Sequence, residues 1–238
     1  GGGPYPAESF LGPASVRFIE QFPKIGVQLH TRDWDELLRE LRSRELDFFV
    51  AETSTLQREP DLEIAAMRSA HPVYLVSRAG HPLAGGAAVT VEDALQFPFV
   101  TPSRIPPRVL DPMLAAHRAS ARRLRTSRPF PAIQCNGLAP VKQILSNSDA
   151  VSATILSCIA SELERGQLVL LGTAPWLHLR YGIVSLKGRP WTQTAEKFRE
   201  YVLQAERRAA ADEEPLLERF LPGTRQRTAR TRTVARRK

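Results

Sequence analysis

Helix-spaced and strand-spaced apolar positions alternate along most of the chain. Phe10, Ala14, Phe18 and Phe22 recur at helical spacing and predict a helix over 7–22. Pro13 lies inside that pattern, where a proline lacks the N–H that the preceding turn needs, so we expect a short first turn and a fresh start near Pro13. Ile25 to His30 alternates in the manner of a strand. Asp33-Trp34-Asp35-Glu36 resembles a helix start, with Asp33 as cap and Glu36 three residues on as in a capping box. Trp34, Leu37, Leu38 and Leu41 form the stripe of that helix, and Leu46 to Ala51 is a buried strand. This βαβ rhythm predicts a mainly parallel sheet with right-handed crossovers.

The rhythm continues with strands at 73–76, 99–101, 132–135, 150–153, 168–171 and 181–186. Helices are expected at 91–95, 109–117, 138–145 and 156–165, the last ended by Gly166. A final helix at 193–210 turns Ala195, Phe198, Val202 and Ala205 inward. Periodicity is lost after Asp212. So many units exceed one small sheet, and we expect two α/β lobes with the chain passing to the second and returning. A ligand then lies outside the carboxyl ends of the strands, where the loops of both lobes converge.

Composition narrows the class without changing this picture. The 238 residues are 42% hydrophobic and 24% charged, as in ordinary globular proteins. No apolar run reaches the roughly 18–20 residues of a membrane span. The net charge of +8 suggests nucleic acid until it is located. Seven cations and no acid fall in 223–238, which leaves 26 cations against 25 acids elsewhere. The body is nearly neutral, and we do not expect it to grip a phosphate backbone.

Chemistry-bearing motifs are few. The histidines at 30, 71, 81, 117 and 178 lack ligand spacing, so no metal is expected. No nucleophile elbow, Walker loop or dinucleotide fingerprint occurs, so neither a cofactor nor an enzyme is expected. Cys135 and Cys158 read as buried small apolar residues, with a disulfide or a reactive thiol as the other readings. The start has no signal-peptide pattern and no initiator Met, so we expect a cytoplasmic processed product or fragment.

Against this frame, several stretches resemble the effector-binding domain of LysR-type transcriptional regulators. They are Phe18 to Leu29, Leu37-Leu38-Arg39-Glu40-Leu41 leading to Glu45 to Val50, and Ser77-Arg78-Ala79-Gly80-His81-Pro82-Leu83-Ala84. Ser148-Asp149-Ala150-Val151, followed by Glu162 to Val169, completes the order. The resemblance covers about residues 4–208. It implies two Rossmann-like lobes of the type 2 periplasmic-binding-protein kind with an interlobe cleft. Lobe I is expected at 1–74 plus 180–210, lobe II at 75–179, and a basic tail at 211–238. It also implies a small-molecule effector, a homodimer or tetramer, no membrane, and DNA contact only through an N-terminal winged helix-turn-helix that is not seen in this sequence. A stand-alone solute-binding protein of the same fold is the alternative.

The expected effector-binding residues sit at strand ends. Tyr5, Pro6 and Ala7 precede a helix whose free N–H groups favour an anionic group, although Glu8 opposes one locally. Asp33 and Trp34 border the cleft, with helix capping and core packing as their plainer readings. Thr101, Pro102, Ser103 and Arg104 follow one strand, and Arg104 is able to clamp an acid. Asn136 and Gly137 follow another and also read as a plain N-cap. Thr154 lies in Ala153-Thr154-Ile155-Leu156, where the family's common proline is missing, so we expect the cleft wall to differ there. The clustered Arg118, Arg122, Arg123, Arg125 and Arg128 read as a solvated helix end.

Overall fold

The computed structural model describes residues 1–68, 70–85, 89–124 and 128–221. In chain order these form α1 (Pro4–Pro6), a π-helical turn (Ala7–Leu11), α2 (Gly12–Gln21), α3 (Trp34–Arg42), β1 (Phe49–Glu52), β2 (Leu62–Ala66), β3 (His71–Pro72) and β4 (Tyr74–Arg78). There follow α4 (Val91–Ala94), β5 (Val100–Thr101), α5 (Pro107–Leu124), β6 (Ile133–Gln134), α6 (Leu138–Asn147) and β7 (Ser152–Thr154). A 3-10 turn (Leu156–Cys158), α7 (Ala160–Glu164), β8 (Leu168–Gly172), β9 (His178–Leu179), β10 (Tyr181–Leu186) and α8 (Gln193–Phe220) complete the chain.

Two sheets organise these elements. The first has the order β1-β10-β2 and is widened by Gly2, which bridges both Thr31 and Val50. Residues 1–3 stand where a strand before residue 4 is expected, held by these isolated bridges and not as a named strand. Gly2 is needed there because an added Cβ would sit 2.5 Å from a Leu11 methyl. The second sheet has the order β7-β4-β8, and the parallel pair β5-β6 adjoins it through the Phe99–Val151 bridge. The chain crosses between the sheets twice, and β3 and β9 pair at the crossing.

The sheets are more antiparallel than expected. β10 runs against both β1 and β2, and β4 against both β7 and β8. Each crossing segment enters its new sheet from the crossover end, opposite to the strands already there. Among the described residues parallel pairing is confined to the Gly2 bridges, β5-β6 and Phe99–Val151. No strand forms over 25–30, because that segment lies at the sheet margin. Its backbone ties to the sheet are the Gly2 N–H donating to His30 O and the Arg32 N–H donating to Gly2 O, and the His30 ring meets Glu40 of α3 at 2.7 Å. Alternation without a second neighbour leaves it extended but unpaired.

The proline problem in the first helix is solved by the π turn. The Gly12 N–H reaches back to Ala7 O, one residue further than in an α-helix, and Pro13 falls in the first turn of α2 where its missing N–H costs little. Phe18 is fully buried. Its ring meets Phe22 at 4.8 Å, Phe198 at 5.2 Å and Tyr201 at 5.8 Å, which pins α2 to α8. A second, smaller cluster, built on Leu37, Leu41, Phe49, Leu56 and Val184, lies under α3.

The final helix overruns its expected end. α8 continues to Phe220 and carries Pro215 within it. Residues 211–220, assigned to the tail by sequence, are therefore helical, and Leu216, Leu217 and Phe220 pack on the main core. Glu213 on this extension accepts from the Tyr74 hydroxyl at 2.9 Å and pairs with Arg68. The basic residues of 222–238, and Arg125 of the helix-end cluster, lie outside the described residues.

Candidate functional site

The strand ends of both sheets converge on a cleft of about 720 Å³, counted out to its open mouth. Its walls are largely apolar, from Val73, Phe99, Val109, Met113, Leu177 and Leu179 among others. Seven of the residues singled out by sequence border it: Tyr5, Pro6, Asp33, Trp34, Thr101, Ser103 and Arg104. Loops from opposite sheets supply them, so the fold brings together positions about 70 or more residues apart in the chain.

Five others are not brought to it. Ala7 opens the π turn, and its N–H is spent on Gly3 O at 2.8 Å. Pro102 is buried, and its carbonyl accepts from the Gly137 N–H at 3.0 Å. Gly137 begins α6 at φ +117°, a backbone suited to glycine, while Asn136 is exposed and caps nothing with its side chain. Thr154 alternates with Ala153 on β7; Ala153 lines the cleft, so Thr154 faces the other way and its hydroxyl donates to Ile155 O at 3.3 Å. Glu8 also stands apart, paired with Lys142 of α6.

At the mouth, charges from the two lobes meet. Asp33 is the N-cap of α3 by position, but its side chain makes no cap bond. It accepts instead from the Arg104 backbone N–H at 3.3 Å, and the Arg104 guanidinium lies 3.7 Å from it and 3.0 Å from Asp35. Arg104 is thus already clamped to acids of its own chain. Burial pushes the Asp33 carboxyl above its ordinary value, while Arg104 pulls it back. The capping box expected at Asp33 forms at Thr90 and Asp93 instead. Trp34 packs on the small cluster with one side and faces the cleft with the other.

Deeper in the cleft, beside Tyr5, stand two residues that sequence reasoning missed, Glu52 and Tyr181. Tyr5 donates its hydroxyl across the cleft to Ala153 O at 2.6 Å. Glu52 and Tyr181 are buried and face each other as register partners of β1 and β10. Glu52 Oε2 accepts from the Ser54 N–H and hydroxyl. Glu52 Oε1 and the Tyr181 hydroxyl have no hydrogen-bond partner, although Arg108 Nη2 lies 3.9 Å from that Glu52 oxygen as an ion pair. The available signal was an acid closing the otherwise apolar run Phe48-Phe49-Val50-Ala51.

Neither cysteine forms a disulfide. Cys158 is buried against the Ser9 hydroxyl at 3.0 Å, and burial pushes its thiol up to about 12, the opposite of a reactive thiol. Cys135 is only half-buried.

The LysR substrate binding domain matches residues 1–207. The SDS degradation transcriptional activation protein of Pseudomonas sp. is 32% identical over 213 residues, covering 87% of this chain and 66% of that protein. The HTH-type transcriptional regulator GalR of Pseudomonas putida is 28% identical over 166 residues, 69% of this chain and 40% of that protein. The chain thus spans between two fifths and two thirds of the length of these relatives. Among solved structures, the Synechocystis CcmR regulatory domain in complex with 2-PG superposes with a TM-score of 0.65 at 18% identity, covering 86% of this chain and 95% of that one. A reduced form of OxyR from N. meningitidis gives 0.64 at 13%, covering 87% and 93%. These likenesses show the fold, the two-lobed type 2 periplasmic-binding-like arrangement. The family match covers most of the sequence, and the chain belongs to the LysR substrate-binding domain family.

Proposed function

We propose that this chain is the effector-sensing and dimerisation part of a LysR-type DNA-binding transcriptional regulator, and that a small molecule binds between lobe I (1–74 plus 180–210, with α8 running on to Phe220) and lobe II (75–179). The cleft carries the reading: it is walled by both lobes, and its mouth is spanned by ion pairs between them. A molecule held there touches both lobes at once, so it has different affinities for open and closed arrangements, which is what shifts an equilibrium between them. Among the described residues no set of nucleophile, base and oxyanion donors converges in the cleft, and its arrangement supports the binding of a small molecule.

The expected effector contacts are Tyr5, Pro6, Asp33, Trp34, Thr101, Ser103 and Arg104. The apolar wall suits an alkyl or aromatic body, in keeping with a relative named for SDS degradation. Val16 and Ile19, exposed on α2, offer an apolar face for a second copy of the chain. The nearly neutral body leaves DNA contact to a separate module, and the place of action is the cytoplasm. Among the described residues no helix is long and apolar enough to cross a membrane.

A thermal-shift screen of small organic acids, alcohols and aromatics tests the proposal, because a ligand of the folded state raises the melting temperature by mass action. At least one class is expected to raise it, and a Trp34→Arg change, which removes an aromatic face from the cleft wall and sets a cation there, is expected to abolish the shift. The chain alone is expected to give no operator-specific footprint; a specific high-affinity one contradicts the proposal.

A further inference from the structure

Two polar atoms deep in the cleft narrow the ligand class, on the reading that the cleft is the effector site. Glu52 is 8% exposed and Tyr181 3%. They are opposed residues of neighbouring antiparallel strands, so their side chains rise on the same face. Both line the cleft. Neither Glu52 Oε1 nor the Tyr181 hydroxyl has a hydrogen-bond partner, and they are the buried side-chain polar atoms of the lining, among the described residues, of which this is true. Leaving a buried polar atom unmatched costs about 1–3 kcal/mol, more when it is charged. By contrast the Tyr5 and Thr101 hydroxyls nearby are satisfied within the chain.

The geometry points to an uncharged ligand with an apolar body and a terminal hydroxyl, the hydroxyl accepting from Tyr181 and donating to Glu52. A carboxylate oxygen only accepts, so its partner must donate. A ligand carboxylate or sulfate offers no proton and sets a like charge against Glu52. A ligand ammonium meets the Arg108 guanidinium, whose Nη2 lies 3.9 Å from the same Glu52 oxygen. A hydroxyl is a small group that both donates and accepts without adding charge. Tyr181 is suited to be its donor, since burial pushes the phenol well above its ordinary value and keeps the O–H proton in place. The hydrocarbon then runs along Val73, Val109, Met113, Leu177 and Leu179, and its transfer from water supplies most of the affinity.

The test is calorimetric titration of the chain with 1-octanol, octanoate, octyl sulfate and octylammonium, in the parent and in Tyr181→Phe and Glu52→Gln variants whose melting curves confirm folding. The parent is expected to bind 1-octanol at least about tenfold more tightly than the three charged probes. Tyr181→Phe is expected to weaken the alcohol about tenfold, the loss of roughly one hydrogen bond. Glu52→Gln removes the like charge and is expected to narrow the alcohol-to-octanoate ratio about tenfold, an effect that mere loss of packing does not produce. Tighter binding of a charged probe in the parent, or alcohol binding indifferent to both substitutions, overturns the inference. A positive thermal-shift hit that competes at Trp34 alongside no alcohol binding overturns the hydroxyl class while leaving the effector cleft standing. Absence of any ligand for the cleft in both experiments overturns the two together.

Discussion

The two sheets are tied together at the cleft mouth and again behind it, where the chain crosses between them, and the two ties are built from different physics. At the mouth, Arg104 reaches Asp33 and Asp35 with more than half of its own side chain in solvent. Behind, the crossing pair β3-β9 lies under α8. There Phe10 packs tilted against His71 of the crossing strand at 5.6 Å and edge-on to Tyr181 of the first sheet at 5.8 Å, and Glu213 holds both Arg68 and Tyr74, the first residue of β4 in the second sheet. Exposed ion pairs are screened and contribute little to stability, whereas buried aromatic contacts and matched polar groups contribute several times more. The contrast marks the rear contact as the firmer joint and the mouth as the part that is parted at smaller cost.

Substitution at the rear is the most severe way to probe that contrast. Phe10→Ala removes a ring that is 1% exposed, and it is expected to destabilise the fold by about 3–5 kcal/mol in urea unfolding. A loss below 1 kcal/mol would place the joint elsewhere.

The next effect is pH-dependent. Burial lowers His71 to about 4 from an ordinary 6.5, so the unfolded chain takes up a proton there that the folded chain refuses. The stability is fully present above about pH 6.5 and is lost as pH falls toward 4, by roughly 2 kcal/mol at pH 5. Glu206, 3.5 Å away and raised by its own burial, acts in the opposite direction. The measurement is therefore the difference between parent and His71→Gln unfolding curves from pH 7.5 to 5. The parent is expected to lose the more stability over that range.

Glu213→Gln follows, at about 1 kcal/mol by thermal unfolding, because the hydrogen bond from Tyr74 persists to the amide oxygen while the charge opposite Arg68 is lost. Smallest is Arg104→Ala, expected to change stability by less than about 1 kcal/mol and to lose even that in high salt. Its mark is expected in ligand affinity, since it unties the mouth. An Arg104→Ala loss larger than that of Glu213→Gln would invert the comparison.

How much of this was legible depends on what each residue depends upon. The periodic helices and the apolar strands at 99–101, 168–171 and 181–186 appear close to where the pattern puts them, because each buries a face that its own residues define. The strand β2 went unforeseen, since Leu62 to Ala66 buries only one residue well and owes its pairing to β10. The helix beyond 210 was hidden by Glu213-Glu214-Pro215, which reads as a break in sequence, although Leu216, Leu217 and Phe220 find a core to pack on. At the site, loops ending strands were identifiable, but which face each residue turns to the cleft was not. Ala153 and Thr154, adjacent in β7, go opposite ways.

The sequence by itself determined the alternation of helices and strands, a neutral body with a basic end, and the loops from which a cleft is drawn. These follow from local spacing and composition, which act within a turn or a strand. Only the tertiary structure decided that Asp33 serves Arg104 rather than its own helix, that β10 returns antiparallel, and that Glu52 and Tyr181 meet unpartnered in the cleft. Each of those depends on groups about 70 or more residues apart being brought within a few ångströms, a distance that the chain's local preferences do not encode.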